Sequence, residues 1–141
     1  MKRVTLFLGV LFLVIVFGAG AAVRLTESAE FCGSCHIMNA HYETWAHSSH
    51  REETNCNSCH VPEGLIEKPL YKAKSGLIDA YVFFIKGSPA HIELKTDSQT
   101  IIQDNCVKCH STFVREITKG DGLNCYHCHH SPHGKVKNLV Y

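Results

Sequence analysis

The run NCNSCHVP at residues 55–62 holds Cys56 and Cys59 two residues apart, with His60 directly after the second cysteine. The same C-x-x-C-H arrangement recurs at Cys32, Cys35 and His36, at Cys106, Cys109 and His110, and at Cys125, Cys128 and His129. The four pairs use all 8 cysteines of the 141-residue chain, which also carries 11 histidines. A histidine at all four of these positions by chance has a probability on the order of 10⁻⁵, so the pattern reads as c-type haem attachment. Two thiols add to the porphyrin vinyl groups and the adjacent imidazole reaches the iron from the same turn. A zinc site would use thiolates in fours and has no need of a histidine after each pair. With every sulfur consumed, no disulfide is expected.

Upstream of the first motif, Val4 to Val23 is free of charge, preceded by Lys2 and Arg3 and followed by Arg24. At 1.5 Å per residue such a run spans about 30 Å as a helix, one hydrocarbon core. A cleaved secretory signal also starts basic and ends in small residues, as at Gly18 to Ala22. Its apolar core is usually about 7–15 residues, shorter than this one, which favours an uncleaved anchor. By the positive-inside rule Lys2 and Arg3 stay in the cytoplasm. The expected layout is an anchor at residues 1–24 in the inner membrane and a periplasmic domain at 25–141.

The formal charge of +1, from 14 Lys and Arg against 13 Asp and Glu, gives no basic face for nucleic acid. Four haems would each add two propionates against an iron-porphyrin core of +1 or 0, so the loaded protein would carry roughly −3 to −7. The 117 residues after the anchor form a globule of radius of gyration roughly 13 Å. Four macrocycles in that volume must lie close together and supply much of the apolar core.

The exported part falls into a haem pair at 32–60, a central region at 61–105 and a second haem pair at 106–133. Helices are expected at Ala40 to His50, Pro69 to Ile85, Ser98 to Lys108 and Phe113 to Thr118, with Gly87, Ser88 and Pro89 ending the second. No strand pattern is evident. The fold class is therefore all-α with extensive irregular coil, a single N-terminal transmembrane helix joined to a multihaem c-type cytochrome domain.

The anchor, the paired motifs, Trp45 five residues before His50, the Cys59-His60-Val61-Pro62 run and the late histidine cluster together resemble the NapC/NirT family of membrane-anchored tetrahaem quinol dehydrogenases. The short length, the Cys35-His36-Ile37-Met38 run and the Lys72 to Asp79 spacing are most similar to the branch that forms the small subunit of cytochrome c nitrite reductase complexes. The resemblance covers essentially the whole chain.

Motif chemistry alone makes His60, His110 and His129 the proximal ligands of haems 2, 3 and 4, with His36 the default for haem 1. The resemblance instead implies Met38 as the iron ligand of haem 1, where a thioether would raise the potential of the first acceptor. It further implies His50 as the distal ligand of haem 4 and His133 as that of haem 2, so that the two halves ligate each other's haems. His47 and His130 are the nearest rivals, and His41, His91 and His127 complete the set of free histidines. In this branch the distal site of haem 3 is filled by a lysine of the catalytic partner, which would make His110 the exit side.

The resemblance also implies Lys72 and Asp79 as the quinol site. Seven residues apart, they share a helix face about 10 Å apart along the axis. Quinol oxidation needs a donor to hold the quinol oxygen and a proton acceptor, roles open to Lys72 and Asp79 respectively. Leu77, Ile78, Tyr81, Val82, Phe83 and Phe84 offer an apolar surface suited to the membrane interface. The implied function is a menaquinol dehydrogenase passing electrons through four c-type haems to a periplasmic pentahaem nitrite reductase, in a hetero-oligomer at the lipid bilayer. The competing readings are the same module serving a nitrate or fumarate reductase, and a tetrahaem carrier without quinol chemistry. A pyridine haemochrome assay on the purified chain is expected to give four c-type haems, and Cys106→Ser with Cys109→Ser is expected to remove one.

Overall fold

The computed structural model describes residues 2–87, 92, 94–118 and 124–134. Every regular element among them is helical. Helix α1, Lys2–Leu25, takes up the whole uncharged run and leaves every residue to Ala22 exposed. At 24 residues it is about 36 Å long, enough to cross a bilayer.

After α1, the first three short helices come in quick succession. Helix α2, Ala29–Gly33, is capped by Ser28, whose hydroxyl accepts from the Phe31 N–H. A 3-10 turn at His36–Met38 leads directly into α3, Asn39–Ala46. Gly33 is required here because a Cβ would stand 2.7 Å from the Tyr42 ring of α3. Helix α4, Cys56–His60, is closed by a capping box in which Asn55 and Ser58 satisfy each other's backbone N–H.

The central helix α5 runs Glu67–Tyr81 and continues as a wider π turn at Val82–Lys86, ended by Gly87 at φ +84°. Helix α6, Thr96–Thr118, is a single element. It replaces the two helices expected at 98–108 and 113–118, because the third motif between them is itself helical and breaks only the apolar pattern. Helix α7, Cys125–Cys128, carries the fourth motif. The helix expected over 40–50 stops at Ala46, where Ser48 turns its hydroxyl onto the His50 N–H. Ser88 and Pro89 lie outside the described residues.

The packing order follows the motif order: α2 lies on α4, α4 on α6 and α6 on α7. Side-chain amides pin these contacts. Asn57 of α4 donates to the Thr26 and Glu27 carbonyls just past α1, at 3.1 Å each. Asn105 of α6 donates to the Cys59 and Val61 carbonyls at 3.0 and 3.1 Å. Gln103 accepts from the Cys125 N–H at 2.8 Å, fixing the start of α7. Among the described residues only Ala29 and Val61 are buried apolar side chains. Truncating an amide that serves two carbonyls should matter in so thin a frame. Asn57→Ala is expected to cost about 1–2 kcal/mol, read as a lower midpoint of Soret circular dichroism on heating, with haem content unchanged.

Candidate functional site

The near absence of a polypeptide core fits a domain built around prosthetic groups. Cysteines of successive motifs meet in the same series as their helices. The Cys56 thiol hydrogen-bonds that of Cys32, holding Cys32 down at about 7 and pushing Cys56 up. Burial raises Cys59, with Cys109 beside it. Burial also pushes Cys106 up to about 11, with the Cys125 thiol the next largest cause and hydrogen-bonded to it. Attachment points 1–2, 2–3 and 3–4 are therefore neighbours, and haems held by them would follow one another in chain order. A second sign of fit is Trp45, whose buried indole N–H has no partner and is suited to an acceptor such as a propionate.

The histidines come together across the sequence. The His60 and His133 rings lie 5.8 Å apart, centroid to centroid, and the His50 and His110 rings 6.2 Å apart. Two imidazoles sharing one iron, each about 2 Å from it through Nε2, have centroids about 6 Å apart. Burial holds His60 down at about 4, with His133 and His41 adding repulsion, so its ring is neutral and its lone pair free at pH 7. His133 is lowered by burial as well. Gly134, at φ +83°, makes the turn that packs this segment against Thr44 and Ser48.

His50 Nδ1 donates to the Pro132 carbonyl at 3.3 Å, leaving Nε2 as the lone-pair nitrogen. His47 makes only a local bond, Nδ1 to the Glu43 carbonyl at 2.7 Å. His129, His130 and His127 are exposed at the end of the chain's described part, with His127 against Tyr126. His41 flanks His133 at 6.2 Å. His91 lies outside the described residues. For the first motif, His36 is exposed with its ring 6.5 Å from that of Phe83, and Met38 is half-buried on the same turn.

Lys72 and Asp79 both lie on α5. Lys72 Nζ donates to the Thr26 carbonyl at 2.8 Å and to the Val23 carbonyl at 3.3 Å, capping the end of α1. Burial lowers its pKa against the opposing pull of Glu27, and Cys32 contributes to the same field. Two of its three N–H donors are thus engaged beside the first haem motif, and one is left. Asp79 is exposed. Lys72, Gly76, Asp79 and Phe83 follow each other at helical spacing down one face, from the neighbourhood of Cys32 to His36. A Cβ at Gly76 would meet nothing within 4 Å, so the face is open at its middle.

The family model for the NapC/NirT cytochrome c family, N-terminal region, matches residues 1–139. The chain belongs to the NapC/NirT cytochrome c family. As a member of it, the chain binds haem c and its α1 is a membrane anchor. It is 33% identical over 145 residues to the cytochrome c-type protein NrfH of Wolinella succinogenes, covering 92% of this chain and 82% of that one. It is 32% identical over 120 residues to the cytochrome c nitrite reductase subunit NrfH of Nitratidesulfovibrio vulgaris, covering 83% and 74%. Its fold matches a chain of the cytochrome c nitrite reductase NrfHA complex bound to the HQNO inhibitor, with TM-score 0.75, 28% identity and coverage of 96% and 93%.

Within this NapC/NirT cytochrome, the residues that sequence reasoning missed are the clamps Asn57, Asn105 and Gln103 and the cap formed by Lys72. A partial signal was present, since Asn precedes the first cysteine in three motifs, as Asn55, Asn105 and Asn124. The ring pairs make a spectroscopic prediction. His133→Ala is expected to convert one haem from low to high spin in the electron paramagnetic resonance spectrum, and His50→Ala a second, whereas His47→Ala and His130→Ala leave all signals as in wild type.

Proposed function

We propose that this chain is a menaquinol dehydrogenase that delivers electrons to a periplasmic pentahaem nitrite reductase making ammonium. Residues 1–24 anchor it in the inner membrane with the N-terminus in the cytoplasm, and residues 25–141 form the periplasmic tetrahaem domain, in a hetero-oligomer with the reductase. The observation that carries this reading is the series of motif contacts, in which the second motif helix bonds the residues just after α1 and the third and fourth follow by contact of α4 with α6 and of α6 with α7. An electron donor dissolved in the bilayer meets the first motif, and a partner in the periplasm meets the last ones. The relatives named for nitrite reductase complexes supply the identity of that partner.

In this reading the eight motif cysteines hold the haems, which when bound supply one-electron carriers. His60 and His133 serve haem 2, a pairing supported by their 5.8 Å ring spacing. His110 serves haem 3, His129 haem 4, and Met38 or His36 haem 1. The resemblance assigns His50 to haem 4, while its 6.2 Å spacing to His110 favours haem 3 as a second assignment. The spin-state change in His50→Ala, combined with His110→Ala and His129→Ala, separates the two.

Oxidation of one quinol to the quinone releases two electrons and two protons. Lys72 holds the quinol oxygen with its remaining N–H, oriented by the two carbonyls at the end of α1. Asp79 accepts the two protons in turn and passes each to solvent, to which it is exposed. Gly76 leaves room for a ring between them, at a cost to helix stability of about 1 kcal/mol relative to Ala. Menaquinol added to the oxidised protein in detergent is expected to shift the Soret band to its reduced position. Asp79→Asn and Gly76→Leu are expected to slow that shift without loss of haem and without affecting reduction by dithionite. A Soret band that ignores menaquinol in wild type would contradict the reading.

A further inference from the structure

Helix α5 is amphipathic in the reverse of the usual sense. In a helix at a protein surface the apolar stripe turns inward and the charges face water. On α5 three polar groups hold the chain together: Lys68 pairs with Glu27, Lys72 caps α1, and the Tyr71 hydroxyl bonds Ser98 of α6 at 3.3 Å. The opposite face, at helical spacing, carries Ile66, Leu70, Leu77 and Phe84 with Lys74 at its edge, and among the described residues it is exposed. Their exposures of 72%, 64%, 74% and 77% leave most of that stripe uncovered among the described residues.

The depth of this stripe is set by Lys72. The Val23 and Thr26 carbonyls it binds mark where the uncharged run of α1 ends, at Arg24. An α-helix pinned at that level lies where hydrocarbon gives way to headgroups. At its far end Lys86 sits over the Tyr81 ring, 5.9 Å from its centroid, an aromatic and a cation of the kinds that anchor at headgroup level. We propose that α5 and its π turn form a second, in-plane membrane contact, with Ile66, Leu70, Leu77 and Phe84 in the acyl region of the outer leaflet. The occupant of the stripe is lipid, because Lys72 pins α5 at the exit of the membrane-spanning helix α1. Phe83, by contrast, is turned toward His36 and does not belong to the lipid face.

The test uses the full-length holoprotein in vesicles of phosphatidylcholine and phosphatidylglycerol containing a lipid with a photoactivatable acyl chain. After irradiation, peptide mapping by mass spectrometry is expected to find lipid adducts on residues 65–86 at Leu70, Leu77 and Phe84, as well as on residues 2–25. The variant Leu70→Gln, Leu77→Gln, Phe84→Gln is expected to lose the adducts on residues 65–86 and keep those on α1, with its Soret spectrum unchanged. Adducts confined to residues 2–25 in wild type would overturn the proposal. So would protection of the stripe by a second copy of the chain or by the reductase when either is present.

Discussion

The helices that carry the four C-x-x-C-H motifs pack one against the next in the order in which the sequence writes them. The contact of α2 with α4, of α4 with α6 and of α6 with α7 replaces the sheet or bundle that a domain of this size would normally build. Among the described residues, Ala29 and Val61 are far too little apolar burial to offset the conformational entropy of ordering them. The frame is therefore specified by polar clamps such as Asn57 and Asn105, with the haems of a c-type cytochrome as the material it encloses. Cysteine pairs at the helix contacts ensure that successive attachment points are neighbours.

The same polar logic couples the membrane to the domain. The carbonyls of Val23, Thr26 and Glu27 at the end of α1 receive Lys72 from α5 and Asn57 from the second motif helix. One node thus ties together the anchor, a haem-bearing turn and the face proposed to bind quinol. Lys72 serves in it both as a cap for the anchor helix and as a donor with one N–H to spare. Substituting Lys72 would disturb both roles at once, which makes Asp79 the cleaner residue for probing the chemistry.

Much of this was written legibly in the sequence, and the reasons differ by feature. The haem motifs and the uncharged run depend on local spacing and length alone, so family, fold class and anchor could be read directly. Helix α6 could not be read as one element, because Cys106, Cys109 and His110 interrupt its apolar period while leaving its backbone helical. The meeting of His60 with His133 was implied only by resemblance, and the approach of His50 to His110 was not foreseen, since each joins residues at least 60 positions apart. The apolar surface near residues 77–84 was visible, but not that Phe83 leaves it for His36 or that Ile66 and Leu70 extend it. Those facts depend on which face of α5 its lysines turn toward α1.

The central claim is that electrons enter at the membrane end of the chain and leave to a nitrite reductase. It is tested most directly in vesicles containing menaquinol, this chain and the pentahaem reductase, by following ammonium formed from nitrite. Menaquinol-dependent ammonium production that requires the chain, and is lost when the Asp79→Asn variant replaces it, is the result predicted. Equal production without the chain, or none with every component present, would contradict the account.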